Sequence, residues 1–431
     1  MDEGLQIESL WEGLEYGPPE TRATYAALGI RAGDRWVTEI EDRLAGRTRR
    51  HAPLPAYHFA EWLTWNWWRL RWEPFRRTSS WELAHKTATI GGGWIWPNIT
   101  IVTDGEQILF DPVPTEPGPG QPLRYLSSLP LSVSAADFET AIDDFVRRVL
   151  ERLRVSEVGA TNLADLWQAL TVERADPRLA RFRKLEALLG WDPGEADDAL
   201  IEQLEAESEE LGTEAIEELA ADGPGERAPL DRMELVGLVN RNGISARSGD
   251  AATLGDGYRE SCGETSAWRQ GVRAARALRA LEKPGDVVTD DLLCGMTGVM
   301  KGATAASATG APLSFELNEP GARSNIVLRS RYRNGRRFDL ARIFGDRILE
   351  KNGEPLRPVT RSRTHRQKAQ IGFAAELLCP IESLVTVLAG DLAEDAYEDA
   401  ADHFGVTARV VELQLLGNRI IERKDALKSF M

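Results

Sequence analysis

The sequence predicts an α+β protein, on three observations. Short strand-like runs bounded by Gly/Asp turns fill much of the first 133 residues and enclose one Trp-rich helical stretch. Helical periodicity then runs from 134 to 230, and from 231 to 431 strand-like and helical runs mix again. A length of 431 residues exceeds one ordinary core. These shifts divide the chain into a mixed Trp/Arg-rich module (1–133), a central helical region with an acidic segment (134–230) and a C-terminal domain (231–431).

In the first module, Arg22 to Ile30 and Arg35 to Ile40 read as strands joined at Ala32-Gly33-Asp34, a turn composition. Ala56 to Glu73 reads as one helix ended by Pro74, with Trp62, Trp65, Trp68 and Trp72 spaced to line one face. Ile99 to Val102 and Gln107 to Phe110 flank Asp104-Gly105, a pair that tolerates positive φ and so predicts a hairpin. Pro112 to Pro122 is a loop. Eight of the thirteen tryptophans lie between Trp62 and Trp96, interleaved with Arg69, Arg71, Arg76 and Arg77. Such a mixture stacks bases and neutralises phosphates in single-strand binders, but tryptophan at helical spacing more often faces a core. Core packing is expected here, with Arg76 and Arg77 exposed past Pro74. Arg43, Arg47, Arg49 and Arg50 make the module a second candidate polyanion contact.

Ser134, with Asp137 three residues on, caps a helix running to about Leu153. From Glu186 to Glu226 there are fifteen acids and no Lys or Arg, so this segment supplies nearly all of the net charge of −16. Leu200, Ile201, Leu204, Leu211, Ile216 and Leu219 recur there at near-helical spacing, which predicts amphipathic helices with an acidic outer face. Asp222-Gly-Pro-Gly225 reads as a linker.

Arg323 to Lys368 carries fourteen Lys or Arg against Asp339, Asp346, Glu350 and Glu354. The acidic and basic segments are expected to pair or be solvated. The competing reading is a polyanion contact, with Arg329, Arg331, Arg333, Arg336, Arg337, Arg361 and Arg363 as candidates beside Arg76 and Arg77. Cys262, Cys294 and Cys379 lack CxxC spacing, which argues against a disulfide framework and a thiolate zinc site and for buried thiols. No apolar run has a membrane-spanning length, and the acidic start lacks a signal-peptide layout, so no membrane partner and a cytoplasmic location are expected. Gly91-Gly92-Gly93 precedes an aromatic strand instead of opening a helix, so it fails as a phosphate loop.

The C-terminal pattern is a helix over Trp268 to Leu281, strands at Leu313 to Leu317 and Asn325 to Leu328, and a helix over Phe338 to Leu349. Another helix follows over Gln367 to Leu378, stopped by Pro380, and short helices lie between Asp391 and Ile421. Within it, Arg336-Arg-Phe-Asp-Leu-Ala-Arg-Ile-Phe-Gly-Asp346, then Gly372-Phe-Ala-Ala-Glu-Leu-Leu-Cys-Pro380, resembles the ImmA/IrrE metallopeptidases. In that family the first stretch reads RRFTLAHELGH and the second FAAELLMP, preceded by an acidic ligand. Ala400 to Val406 through Leu415 to Gly417 is similar to the family's closing helical pair. The resemblance covers Trp268 to Ile421 and implies a zincin-like domain with a small sheet and helices.

The departures from the family bear on function. A zincin site sets two histidines one helical turn apart with a glutamate beside the first. Arg342, Ile343 and Asp346 occupy those positions. A guanidinium does not ligate zinc and isoleucine accepts no proton. Arg361 to Gly372 holds no Asp or Glu to serve as the third ligand, and His365 there is read as a lone surface histidine. Arg342 is expected to sit where zinc would, satisfied by Asp346 or Asp339. The resemblance thus implies a bacterial pseudo-peptidase with no catalytic residue, metal or cofactor. It would grip a protein partner through the former substrate groove in mobile-element regulation or anti-phage defence. One alternative is a nucleic-acid-associated factor using 323–368 and the N-terminal Arg/Trp module; a weaker one is a live zinc peptidase with another ligand set.

Overall fold

A computed structural model describes residues 4–116, 118, 120–223, 228–255, 266–307, 310–319, 323–350 and 353–421. It is mixed α+β with small antiparallel sheets. The described chain forms two compact units that divide after Asp197.

In the N-terminal unit, strands Leu5–Trp11 and Tyr25–Ala32 pair antiparallel with Ile7 opposite Ile30, and Arg35–Trp36 and Ala52–Pro55 also pair with Tyr25–Ala32. The turn at Ala32-Gly33-Asp34 forms, but the first expected strand starts late because Pro19–Ala23 is a helical turn. Asn98–Thr103 and Gln107–Val113 make the expected hairpin, extended by Leu131–Ser134. Its turn is held by Asp104 Oδ1, which accepts from the backbone N–H groups of Glu106 and Gln107, and by Gly105 at φ 99°. A third small sheet joins Ile40–Asp42, Arg47–Arg49 and Leu123–Tyr125.

The aromatic helix is two helices, Ala56–Trp65 and Trp67–Trp72, parted at Asn66. The expected tryptophan stripe does not share one environment. Trp67 and Trp68 are buried, whereas Trp65 is 54% exposed. Ser134 caps helix Ala135–Val155 by accepting from Asp137 N–H at 3.0 Å. This helix places Phe138, Ile142 and Phe145 in one core with Leu28, Phe59, Trp68 and Phe110. The boundary expected at 133 is therefore not a unit boundary: the apolar face of Ala135–Val155 completes the N-terminal core.

The C-terminal unit begins inside the acidic segment, with helices Asp198–Leu211 and Thr213–Asp222 burying Ile201, Leu204, Leu211, Ile216 and Leu219. Burial of these residues in the C-terminal unit replaces the boundary expected at 230. The linker expected over 222–225 lies mostly outside the described residues. Four antiparallel strands follow the order Ile244–Arg247, Arg323–Val327, Ser314–Glu319, Leu356–Val359. Helices Ala267–Glu282, Arg333–Leu349 and His365–Leu378 pack around a core that includes Phe344 and Phe373, whose ring centroids lie 5.8 Å apart.

Ala267–Glu282 and His365–Leu378 cross on two glycines. A Cβ on Gly271 would lie 2.0 Å from the Ala369 carbonyl oxygen, and one on Gly372 would lie 2.5 Å from that of Trp268. No single helix among the described residues is long and apolar enough to cross a membrane.

Candidate functional site

Helix Arg333–Leu349 carries Arg336 and Arg337 and the three positions, Arg342, Ile343 and Asp346, that the resemblance would align with HExxH. Arg342, Ile343 and Asp346 are all buried. Ile343 points into the apolar core, packed in the cluster that holds Leu340 and Phe344. Arg342 and Asp346, one helical turn apart, each meet a residue at the start of helix His365–Leu378.

Arg342 Nη2 donates to Gln367 Oε1 at 2.6 Å and to the Thr360 carbonyl at 2.9 Å. Gln367 Oε1 also accepts from Thr360 N–H at 3.0 Å, and its amide donates to the Pro358 carbonyl at 3.2 Å. Burial lowers the Arg342 pKa to about 10, against the favourable charge of Asp339. The expected partner Asp346 is engaged elsewhere: its two oxygens accept from Arg366 Nε at 2.9 Å and Nη2 at 2.7 Å. Arg366 Nη1 donates also to Glu354 Oε2 at 3.0 Å. Asp346 is thus already taken by a fork-shaped donor, which leaves Arg342 to neutral acceptors. The other expected partner, Asp339, accepts from Ser314 Oγ at 2.7 Å.

The acidic helix Thr213–Asp222 closes over this region. Glu218 is buried against Ser362 Oγ at 3.1 Å, and Asp222 Oδ1 accepts from Arg361 N–H at 2.7 Å. Burial raises the Glu218 pKa, partly offset by the charge of Arg366 and by hydrogen bonds. The acidic and basic segments therefore do meet, though mainly through these buried contacts.

Most of the candidate polyanion arginines are not free surface. Arg336 is buried, donating to the Ala303 carbonyl at 2.8 Å. Arg337 is buried, donating to the Val288 carbonyl at 2.6 Å and pairing with Asp290. Arg333 holds the same Asp290 with two 2.8 Å hydrogen bonds. Arg336 and Arg337 share a cause: this part of Arg333–Leu349 is packed, so their guanidinium groups serve backbone carbonyls and one carboxylate, whereas Arg333 stays exposed beside Asp290. Arg363 and Arg329 are part-buried, while Arg331 and Arg361 are exposed.

In the N-terminal unit, Arg76 is largely covered and donates to the Leu188 carbonyl at 2.6 Å, contrary to expectation, whereas Arg77 is exposed. Arg69 pairs with buried Glu73 at 2.7 Å, and Arg71 binds Glu139 while lying over the Trp72 ring at 3.7 Å. The Arg/Trp mixture is thus mostly core and core edge.

Among the described residues, no three His, Cys, Asp or Glu side chains converge as a metal-binding group. Cys294 and Cys379 are buried and free, and burial pushes the Cys379 thiol up to about 12. Cys262 lies outside the described residues. Sequence reasoning missed Gln367, Arg366, Thr360 and Glu218. The available signal was the position of Arg366 and Gln367 just ahead of the second motif, where the resembling family sets its acidic ligand.

One groove, of about 540 Å³, opens at the end of the sheet beside the first turns of Arg333–Leu349. Its lining includes Pro312, Arg329, Arg331, Tyr332, Phe338 and Arg361. No family model, no curated protein and no solved structure matches this chain.

Proposed function

We propose that this protein is a catalytically inactive, zincin-like relative of the ImmA/IrrE metallopeptidases that works as a binding or regulatory subunit, in bacterial mobile-element regulation or anti-phage defence. What carries the reading is one observation: the two motif helices lie side by side, and where the family places its zinc ligands they are joined by Arg342–Gln367 and Asp346–Arg366. On this reading, guanidinium groups take the place of a metal. A guanidinium is a donor only, so neither Arg342 nor Arg366 ligates a cation, and Ile343 takes no proton from water.

The domain then offers a fold and a groove without the groups that polarise a peptide bond. The assignment to defence or mobile-element control follows from the family alone. Purification of the full chain from its source cells, with metal analysis and identification of co-purifying macromolecules, tests the reading. The expected result is a stoichiometric protein partner, no stoichiometric zinc and no cleavage of that partner. Stoichiometric zinc with partner cleavage would favour a live peptidase instead, and nucleic acid as the main co-purifying species would favour the nucleic-acid reading.

A further inference from the structure

We propose that the groove at the end of the C-terminal sheet docks an acidic segment of a protein partner. One aspartate or glutamate enters between Arg331 and Arg361, and a neighbouring apolar side chain lies on Pro312 and Phe338. This rests on the binding-subunit reading and supplies the chemistry of the partner.

Charge complementarity at the groove mouth is the first argument. Arg331 and Arg361 are exposed, and neither side chain makes an ion pair among the described residues. The one acid in the lining, Asp339, is buried, accepts from Ser314 Oγ, and feels the charges of buried Arg336 and Arg342. Ser314 Oγ in turn accepts from Arg329 N–H at 2.7 Å, which ties the arginine-bearing strand end to the groove floor. An incoming carboxylate therefore meets the Arg331 and Arg361 guanidinium groups, which no ion pair among the described residues occupies, while Asp222 is held on the Arg361 backbone N–H.

The sheet edges supply the second argument. All four residues of edge strand Leu356–Val359 are buried, and helix Thr213–Asp222 packs against it. At the other edge, Ala246 of strand Ile244–Arg247 bridges to Val299. One flank is covered and the other is bridged at Ala246, which favours a peptide held by its side chains at the sheet's end.

The acidic helices choose between a peptide and a polynucleotide. Asp222 accepts from the backbone of Arg361, at the end of a helix that also carries exposed Glu214 and half-buried Glu217. A long polyanion following the arginines past Arg361 would meet the Asp222 carboxylate well inside the Debye length of about 8 Å at physiological salt. A single carboxylate does not extend that far.

Selection of short random peptides displayed on phage, with the intact protein as bait, tests this. The expected winners carry Asp or Glu beside an apolar residue. The synthesised winner should bind R331A/R361A about tenfold or more weakly and lose affinity as salt rises. Arg232→Ala, at an exposed arginine paired with Glu210, should leave binding unchanged. Both groove arginines are exposed, so an unchanged melting temperature is expected and establishes that the variant is folded.

Enrichment of neutral or basic peptides, no enrichment, equal affinity in the folded double variant, or displacement by a single-stranded oligonucleotide that binds more tightly overturns the proposal. A native partner that still co-purifies with R331A/R361A while the peptide is lost means that this partner grips elsewhere: the groove assignment for it falls and the binding-subunit reading stands. Peptide docking in a protein that proves to cleave its partner has the opposite meaning.

Discussion

Arg342 donates to the side-chain oxygen of Gln367 at 2.6 Å, across the interface between the two helices that carry the family-like motifs. A buried cation facing a neutral amide and a carbonyl has hydrogen bonds but no counter-charge in contact. Arg342→Ala would strip Gln367 and the Thr360 carbonyl of this donor and leave a cavity, a loss of about 2–4 kcal/mol. Arg342→Met keeps much of the volume and removes the desolvated charge, so it should cost less than half as much. Urea unfolding of the two variants decides between them; equal losses would place the stabilisation in the hydrogen bonds.

Asp346 and Arg366 behave differently because both are charged and buried. Asp346→Asn should cost about 3–5 kcal/mol by leaving the Arg366 guanidinium with fewer counter-charges. Paired removal, Asp346→Leu with Arg366→Met, should recover a large part of that loss. A double-mutant cycle by chemical denaturation measures the coupling.

Rebuilding the missing motif should not rebuild a metal centre. The combination Arg342→His, Ile343→Glu and Asp346→His puts a carboxylate at a fully buried apolar position and removes the partner of Arg366. Sub-stoichiometric zinc by elemental analysis is expected, together with a melting temperature well below that of the parent. One tightly bound zinc per chain would contradict this account.

Glu218 makes stability depend on pH. Its folded pKa lies above the unfolded value because burial disfavours the charged form. Its contribution is therefore full below the unfolded pKa of about 4.3 and is lost as pH rises through the folded value. Glu218→Gln should match the parent near pH 4 and exceed it increasingly toward neutrality. Thermal melts across that range provide the check, and a constant offset at every pH would refute it.

Glu73 in the N-terminal unit has the opposite sign. Burial pushes its pKa up, but His85 and Arg69 together bring it below the ordinary carboxylate value. Its contribution is present above the unfolded pKa and is lost as pH falls through the folded one. Glu73→Gln should cost about 3–5 kcal/mol at neutral pH, and less in acid, where the parent also loses the charge.

Local signals in the chain foretold much of this structure. The Ser134 cap, the Asp104-Gly105 hairpin and the apolar spacing from Ile201 to Leu219 depend on neighbours within a few residues, and each produced the expected element. The Trp62 to Trp72 stripe did not share one burial, because which face of Ala56–Trp65 and Trp67–Trp72 meets the core depends on residues far along the chain, which spacing alone does not reveal. Arginine burial failed for a different reason. Whether Arg336 or Arg76 meets water depends on carbonyls from Ala303 and Leu188, far along the chain, and composition holds no record of them. At the site, the sequence put Arg342 and Asp346 one turn apart on a single helix, but their partners, Gln367 for Arg342 and Arg366 for Asp346, required the meeting of two helices.

The glycine contact between Ala267–Glu282 and His365–Leu378 sets the timetable of synthesis. It joins segments about a hundred residues apart, a separation that slows folding because loop entropy is lost before the contact forms. While the ribosome is still translating toward Leu378, the earlier helix lacks its partner His365–Leu378, and Phe344 lacks its ring neighbour Phe373. The C-terminal unit thus completes its core only when helices near its end have emerged, which lengthens the time that the nascent chain exposes apolar surface.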